Sequence, residues 1–177
     1  NSRQIVHPAS LTKMMTLYLA FDAIRSGRLK LDQKVTISKN AASEPPSKFW
    51  YKPGQRVSIR YLIRASAIRS ANDAATALGE AISGSEKIFI SDMNKAAKKM
   101  GMNSTNFLNA HGLTEVGHYS TAKDLLILAR RLMLDYPEYF NIFSRLETYA
   151  SGRTIKNTNY KFLRQYNGAS GIKTGYT

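Results

Sequence analysis

Residues 7 to 27 carry so many apolar side chains at helical spacing that they constrain the fold more than any other stretch. Pro8 suits the first turn of a helix, and Gly27 suits its end. Between them lie the apolar residues Leu11, Met14, Met15, Leu17, Tyr18, Phe21 and Ile24. A helix with this much apolar surface requires a surrounding core, so the sequence predicts a buried helix with a domain folded around it.

The middle of the chain predicts further helices. Apolar residues recur at helical spacing from residue 58 and again from residue 73, on either side of a polar interruption at 69–72. Ser85 is typical of a helix N-cap and Gly101 of a helix end, while Thr121 resembles the start of a capping box. The polar interruption between two helices is a favourable place for a functional site.

Two other stretches have a different character. Residues 29–56 predict a short strand followed by a proline-containing loop, which we expect to be a lid or connector rather than core. Residues 154–177 predict β structure and turns. A chain of 177 residues is the size of one domain, but helices in the middle with strands only near the C-terminal end are a lopsided inventory for one complete domain.

Composition excludes several classes of protein and favours anionic partners. The net charge of +14 favours nucleic acid, acidic lipid or carboxylate ligands, but the basic residues are scattered and no nucleic-acid-binding motif accompanies them. We therefore expect no nucleic-acid partner. The absence of cysteine excludes disulfides and thiolate metal sites, and the longest apolar run, 14–21, is far shorter than the ~20 residues of a membrane span.

Ser10 and Lys13 are candidates for nucleophilic catalysis. Three residues apart on a helix, they project from the same face, which brings an amine to a hydroxyl. The lysine can take the serine proton only if its pKa is lowered, and the apolar helix offers the burial that does this. The spacing alone is weak, because Ser120 with Lys123 and Ser170 with Lys173 have it too.

Two more short motifs are candidates for substrate contact. Ser70-Ala71-Asn72 lies in the polar interruption, where Ser70 could relay a proton and Asn72 could bind Lys13 and a substrate amide. The alternative interpretation is an ordinary helix-helix turn with an asparagine cap. Lys173-Thr174-Gly175 occurs once. On a strand edge it would supply positive potential, a hydroxyl for a carboxylate and room for a substrate backbone, although an ordinary strand turn has the same form.

Histidines give little reason to expect a metal. His111 and His118 flank Glu115, but the spacing matches no helical zinc motif, and isolated loop histidines are more often hydrogen-bonded structural residues. We therefore predict no metal site and no cofactor.

The order of the three motifs is the feature that identifies a family. The segments "HPASLTKMMT", "SANDAATALGE", "MNSTNFLNAHGL", "HYSTAKDLLILARRL" and "GIKTGYT" resemble the D-alanyl-D-alanine carboxypeptidases, the low-molecular-mass penicillin-binding proteins, along nearly the whole chain. The resemblance implies an α/β fold of the α+β type, the penicillin-binding and β-lactamase-like transpeptidase fold, in which a helical cluster packs on an antiparallel sheet.

The resemblance also implies a mechanism. Ser10 would attack the carbonyl between two terminal D-alanines of a peptidoglycan stem peptide, Lys13 would be the general base, and Ser70 would route a proton to the leaving D-alanine. Asn72, Lys173, Thr174 and Gly175 would bind substrate, and the backbone N–H groups of Ser10 and Tyr176 would form the oxyanion hole. β-Lactams would acylate Ser10. A DD-endopeptidase of the same family and a non-catalytic cell-wall peptide binder remain alternatives.

Location and extent follow from the same resemblance. Members of the family act at the periplasmic or extracytoplasmic face of the bacterial inner membrane, and peripheral membrane association would use a segment outside this sequence. The family has strands before the serine helix and after the Lys-Thr-Gly motif that residues 1–177 do not contain. We therefore expect these residues to be part of a catalytic domain, truncated at both ends, and not to fold alone.

Overall fold

The computed structural model of the chain describes residues 1–176, which form helices and small antiparallel sheets of the predicted α+β type. The helices are α1 (Lys13–Arg25), α2 (Lys39–Ser43), α3 (Ile59–Ile68), α4 (Asn72–Ser83), α5 (Glu86–Met100), α6 (Ala122–Asp135), α7 (Pro137–Phe140) and α8 (Tyr160–Gln165). The strands are β1 (Ile5–Val6), β2 (Lys34–Thr36), β3 (Arg56–Ser58), β4 (Ser120–Thr121), β5 (Glu147–Ala150) and β6 (Arg153–Lys156). They pair antiparallel as β1 with β4, β2 with β3 and β5 with β6.

Helix α1 is the centre of the core, as its apolar sequence predicts. A 3₁₀ turn, Ala9–Thr12, leads directly into it, and helices α3, α4 and α6 pack around it. Met15, Leu17 and Ala20 have no solvent exposure. The Lys13 side chain at the start of α1 is therefore enclosed by the same core that stabilises the helix.

The predicted helix boundaries are confirmed where a cap marks them. The Ser85 hydroxyl accepts a hydrogen bond from the N–H of Ile88 at the start of α5, and Gly101 ends that helix in a left-handed conformation with φ of 83°. The Thr121 hydroxyl accepts from the N–H of Asp124 at the start of α6. These contacts span three residues, so the local sequence contains all that is needed to predict them.

The prediction that residues 29–56 form only a lid or connector is wrong. Phe49 and Tyr51 are buried, and their rings stack with centroids 4.8 Å apart. The carboxylate of Asp73 in α4 accepts hydrogen bonds from the N–H groups of Phe49 at 2.9 Å and Tyr51 at 3.1 Å. Because a side chain from a distant helix satisfies this loop backbone, the loop can be buried without belonging to a sheet.

The prediction of β structure over 154–177 is correct only for the β6 strand. Asn157 is buried, and its Oδ1 accepts a hydrogen bond from the N–H of Asn159 at 2.8 Å, a local turn that directs the chain into helix α8. Residues 170–176 form no strand, because no other strand of the described chain pairs with them. Thr177 lies outside the described residues.

None of the helices in the described part of the chain combines the length and the apolarity that crossing a bilayer requires.

Candidate active site

The structure brings the predicted site residues together around one open cavity of about 420 Å³. Its lining includes Ser10, Ser70, Asn72, Thr174, Gly175 and Tyr176. Lys13 and Lys173 are buried, with 0% and 9% of their surfaces exposed. Three stretches that are separated by about 60 and 100 positions in the sequence thus form a single cleft.

Three polar atoms surround the amine of Lys13. Its Nζ donates hydrogen bonds to Asn72 Oδ1 and to the His111 carbonyl, each at 2.7 Å, and lies 3.2 Å from Ser10 Oγ. The orientation of the Asn72 amide is fixed, because its Nδ2 donates to the Pro45 carbonyl at 2.9 Å. The amine therefore has two short contacts with oxygens that only accept, and a longer contact with the serine hydroxyl.

Burial controls the charge of both lysines. It lowers the pKa of Lys13 well below the ordinary value, and the neighbouring positive charge of Lys173 lowers it further. The carboxylate of Glu44 acts in the opposite direction on Lys13. Burial also lowers the pKa of Lys173, to about 7.

The other serine-lysine pairs with the same spacing lack this arrangement. Ser120 is buried in β4 and bonds the Thr105 hydroxyl at 2.8 Å, whereas Lys123 is exposed. In the third pair the amine of Lys173 donates to the Thr174 carbonyl at 2.9 Å rather than to Ser170, which is exposed. Only the first pair in the described chain therefore places a buried amine beside its serine hydroxyl.

The backbone on either side of the cleft adopts unusual conformations. Ala9, just before Ser10, has φ of 47°, and Ser70 has φ of 62°, both in the left-handed region that residues other than glycine rarely adopt. The Ser70 hydroxyl makes no hydrogen bond within residues 1–176. Such strain is retained where surrounding contacts enforce it, and here it orients two serine side chains toward one cavity.

A histidine-glycine loop fixes the turn that contains Ser10. Gly112 has φ of 92°, and a Cβ at this position would lie 1.8 Å from the Ala9 carbonyl oxygen, so only glycine allows the loop to pack there. The ring of His118 contacts the Thr12 hydroxyl through Nε2 at 2.9 Å. Burial lowers the pKa of His118 to about 4, which favours the neutral ring at physiological pH. His118 is thus a hydrogen-bonded structural residue, the commoner role for a loop histidine.

Side-chain packing, rather than strand pairing, holds the Lys173-Thr174-Gly175 segment in place. The Thr174 hydroxyl hydrogen-bonds the Thr158 hydroxyl at 2.8 Å. A Cβ at Gly175 would meet Leu11 Cγ at 3.4 Å, which is van der Waals contact, so the segment lies directly against the turn that contains Ser10. Tyr176 lines the cavity and its side chain is almost fully exposed.

Sequence reasoning missed Glu44, which lies behind Lys13. Its carboxylate accepts a hydrogen bond from the Thr76 hydroxyl at 2.9 Å and lies 3.1 Å from His111 Nε2. His111 Nδ1 accepts from the N–H of Leu113, so the ring hydrogen is on Nε2, where it is donated to Glu44. Although burial opposes ionisation, the hydrogen bond from His111 lowers the pKa of Glu44. No local pattern could have revealed this pair, because its members are 67 positions apart.

The same two side chains and Glu86 form a cluster whose ligand atoms lie within 4.8 Å of one another. This is not the group of histidines and Glu115 considered from the sequence. A metal ion on Nε2 of His111 would displace the hydrogen that this nitrogen donates to Glu44, and the hydrogen could not move to Nδ1 without losing the bond from Leu113. The hydrogen-bond pattern therefore favours a buried histidine-carboxylate pair over a metal centre.

The sequence of the chain is similar to those of D-alanyl-D-alanine carboxypeptidases. A family model described as D-alanyl-D-alanine carboxypeptidase matches residues 1–177. The D-alanyl-D-alanine carboxypeptidase DacF of Bacillus subtilis is 41% identical over 182 residues, which cover 100% of this chain and 46% of that protein. DacC of Escherichia coli is 36% identical over 183 residues, with the same coverage of 100% and 46%.

Solved structures show the same similarity in three dimensions. Penicillin-binding protein 5 of Haemophilus influenzae has a TM-score of 0.94 and 34% identity, covering 100% of this chain and 52% of its own. Penicillin-binding protein D2 of Listeria monocytogenes, in a cefotaxime-bound form, has a TM-score of 0.88 and 34% identity, covering 100% of this chain and 72% of its own. These neighbours confirm the penicillin-binding fold predicted from the sequence.

The chain spans about half the length of the curated relatives it matches. With a family model matching from the first residue to the last, and relatives of more than one-third identity along that length, the chain belongs to the D-alanyl-D-alanine carboxypeptidase family.

Proposed function

We propose that this chain is part of the catalytic domain of a serine-type D-Ala-D-Ala carboxypeptidase. The enzyme removes the terminal D-alanine from peptidoglycan stem peptides through an acyl-enzyme on Ser10, and β-lactams acylate the same residue. The observation that carries the proposal is the contact of 3.2 Å between Ser10 Oγ and the buried amine of Lys13.

The surroundings of Lys13 support its role as general base. A neutral lysine amine has two N–H donors and one lone pair. The two short contacts, with Asn72 Oδ1 and the His111 carbonyl, use both donors. The lone pair then points to the remaining neighbour, the Ser10 hydroxyl, which donates its proton as Oγ attacks. The lowered pKa of Lys13 supplies the neutral form that this step needs.

The acyl transfer then follows from the other cleft residues. The C–O bond to Ser10 forms and the C–N bond to the terminal D-alanine breaks, while the proton taken by Lys13 passes through the Ser70 hydroxyl to the leaving amine. Asn72 also contacts the substrate amide. Water later hydrolyses the ester. These steps need only the residues that line or underlie the cavity.

Charge complementarity assigns the remaining site residues. Lys173 and the Thr174 hydroxyl bind the terminal carboxylate of the substrate, and Gly175 leaves space beside the substrate backbone. The N–H groups of Ser10 and Tyr176 hold the oxyanion; Ser10 lies in the first turn of a helical segment, where N–H groups lack partners within the turn.

The names of similar proteins support the substrate and the sensitivity to β-lactams. Relatives from Bacillus subtilis and Escherichia coli are named D-alanyl-D-alanine carboxypeptidases, and the Listeria protein has been solved in cefotaxime-bound and ampicillin-bound forms. We assign the same peptide chemistry and β-lactam sensitivity to this chain. The extracytoplasmic face of the bacterial inner membrane, where peptidoglycan is made, is then its place of action.

A fluorescent penicillin tests the proposal. The full-length protein is incubated with the compound, and the adduct is located by mass spectrometry. We expect the label on Ser10 and none in Ser10→Ala. Ser170→Ala is a matched control, because Ser170 has the same three-residue spacing to a lysine but is exposed and outside the catalytic contacts.

Catalysis is tested separately with a peptide ending in D-Ala-D-Ala. Release of free D-alanine, lost in Ser10→Ala, is the expected result. Penicillin labelling without D-alanine release would identify a peptide binder or an endopeptidase instead. A folded wild-type protein that takes no label would refute the assignment of Ser10.

A further inference from the structure

A second cavity, of about 290 Å³, lies beside the candidate active site and has an unusual concentration of positive charge. We call it the basic pocket; Lys48, Arg69, Arg153 and Lys156 line it together with the aromatic rings of Phe49 and Trp50. No acidic side chain of the described residues lines it. Four cations around so small a space repel one another, and a bound anion would offset this repulsion.

The existing contacts of these cations do not neutralise them. Lys48 donates to the carbonyls of Ala42 and Glu44, each at 2.8 Å, and Arg153 donates to the Phe49 carbonyl. The guanidinium of Arg153 lies 3.9 Å from the centre of the Phe49 ring. Within residues 1–176 none of the four cations has an ion-pair partner. The contacts fix two of the side chains in position and leave their charge available to a ligand.

The basic pocket continues the candidate active-site cleft. Ser47 lines the cleft and the next residue, Lys48, lines the pocket; Ser70 lines the cleft and the preceding Arg69 lines the pocket. Hydrogen bonds connect these segments, since the Ser47 carbonyl accepts from the N–H of Asn72 at 2.7 Å and its hydroxyl donates to the Arg69 carbonyl at 3.3 Å.

Strand β6 provides the third shared segment. Lys156 lines the pocket and Thr158, two residues later, lines the cleft. The N–H of Thr158 donates to the Ile68 carbonyl at 3.0 Å, which holds this segment beside the end of α3. Residues only one or two positions apart therefore line the two cavities, and the Cα atoms of such residues are about 4 to 8 Å apart.

We propose that the basic pocket is a subsite for a second carboxylate of the peptide substrate, carried on the acyl side of the bond that is cleaved. This rests on the proposed carboxypeptidase function, in which Lys173 and Thr174 bind the carboxylate of the departing residue. The departing residue has only that one carboxylate, so an anion in the basic pocket belongs to the part of the peptide that stays on Ser10.

The chemistry of the pocket fits a carboxylate at the end of an aliphatic side chain. Two arginines can present paired N–H donors to a carboxylate. Trp50, with 66% of its surface exposed, offers an apolar face beside them for methylene groups. Because the two cavities share neighbouring residues, glutamate and the longer 2-aminopimelate are suitable side chains for testing the subsite.

Matched peptides test the subsite on the full-length protein. We compare kcat/KM for N-acetyl-L-Glu-D-Ala-D-Ala with its glutamine counterpart, and for the L-2-aminopimelate peptide with its side-chain amide. Each pair differs only in charge. We expect at least one pair to favour the carboxylate by about tenfold at low salt, a preference that shrinks as salt screens the cations.

Variants show whether the basic pocket causes the preference. In the double variant Arg69→Gln/Lys156→Gln we expect the preference to fall to about twofold or less, because two of the four cations are gone. Lys98→Gln is the matched control, since Lys98 is an exposed lysine of α5 outside both cavities, and its preference should equal that of the wild type. Thermal unfolding of each variant checks that it is folded.

The outcomes separate this proposal from the proposed function. If penicillin labels Ser10 but neither peptide pair shows a preference, the subsite is refuted and the carboxypeptidase assignment stands. A preference that persists in the double variant also refutes it. If the double variant loses binding to phosphatidylglycerol vesicles and no peptide preference exists, the cations serve a surface role instead. If Ser10 takes no label, the proposed function itself fails.

Discussion

Asn72→Asp would change the charge beside Lys13 with almost no change of shape. Asn72 Oδ1 lies 2.7 Å from Lys13 Nζ, and both side chains are buried. At an effective dielectric constant of about 20, a full negative charge at this distance stabilises the ammonium form by about 6 kcal/mol. Burying the new carboxylate offsets part of this. If half remains, about 3 kcal/mol, the pKa of Lys13 rises by roughly two units.

The assay is the rate of Ser10 acylation by a penicillin, measured from about pH 5 to about pH 10. Because the neutral amine is the base, the acidic limb of the profile should move up by about two pH units in Asn72→Asp. At a pH below the wild-type limb the rate should fall about a hundredfold, and it should recover in more alkaline solution.

Asn72→Ala is the control, because it removes the contact with Lys13 and adds no charge. Its acidic limb should not move up, even if its rate is lower at every pH. If Asn72→Asp were folded and kept the wild-type rate and profile, the neutral amine of Lys13 could not be the group that takes the Ser10 proton.

Three further changes test the surroundings of the site. Gly112→Ala places a Cβ 1.8 Å from a backbone oxygen. Gly117 is the matched control, because it has nearly the same φ but the nearest atom to its Cβ would be 3.5 Å away. In denaturant titrations Gly112→Ala should therefore lower the free energy of unfolding by about 2 kcal/mol more than Gly117→Ala. Burial lowers the pKa of Lys173 to about 7, so between that pH and about 10 the unfolded state binds more protons than the folded state, and the free energy of unfolding should rise with pH. In thermal melts the variant Lys173→Met should show a smaller rise than the wild type. An equal rise in both proteins would contradict this assignment of the pH dependence to Lys173. Glu44→Gln removes a negative charge that favours the ammonium form of Lys13, so the acidic limb of the pH profile for acylation should move down by up to about one pH unit. An upward shift would show that the Glu44 carboxylate does not act mainly through its charge on Lys13.

Features that depend on neighbours within one turn were predictable from the sequence. The Ser85 and Thr121 caps and the left-handed Gly101 involve contacts three or four residues apart, and the structure has each of them. The buried α1 helix was predictable for a related reason, because its apolar content demands a core whatever the topology. Local chemistry and total apolar surface are both properties of a short stretch of sequence.

Features that depend on a distant partner were not predictable. The loop containing Phe49 and Tyr51 looks like exposed connector by composition, yet Asp73, more than twenty positions away, satisfies its backbone and allows its burial. In the same way, Glu44 becomes part of the site only because the fold brings His111 to it. Neither partner follows a spacing rule, so only the three-dimensional structure identifies it.

The serine-lysine spacing shows why a motif alone does not define a base. Ser10 with Lys13 and Ser120 with Lys123 have the same spacing, but the second lysine begins an amphipathic surface helix and is exposed, so nothing disfavours its charge. Lys13 belongs to α1, around which α3, α4 and α6 pack, and its amine can be buried only because Asn72 and the His111 carbonyl accept its two hydrogen bonds. Without those acceptors, burial would leave two unsatisfied donors, each at a cost of about 1 to 3 kcal/mol. The apolar sequence of α1 therefore requires a core, and that core buries the amine of Lys13. The polar interruption at residues 69–72 supplies Asn72, which accepts a hydrogen bond from the amine and so makes its burial tolerable.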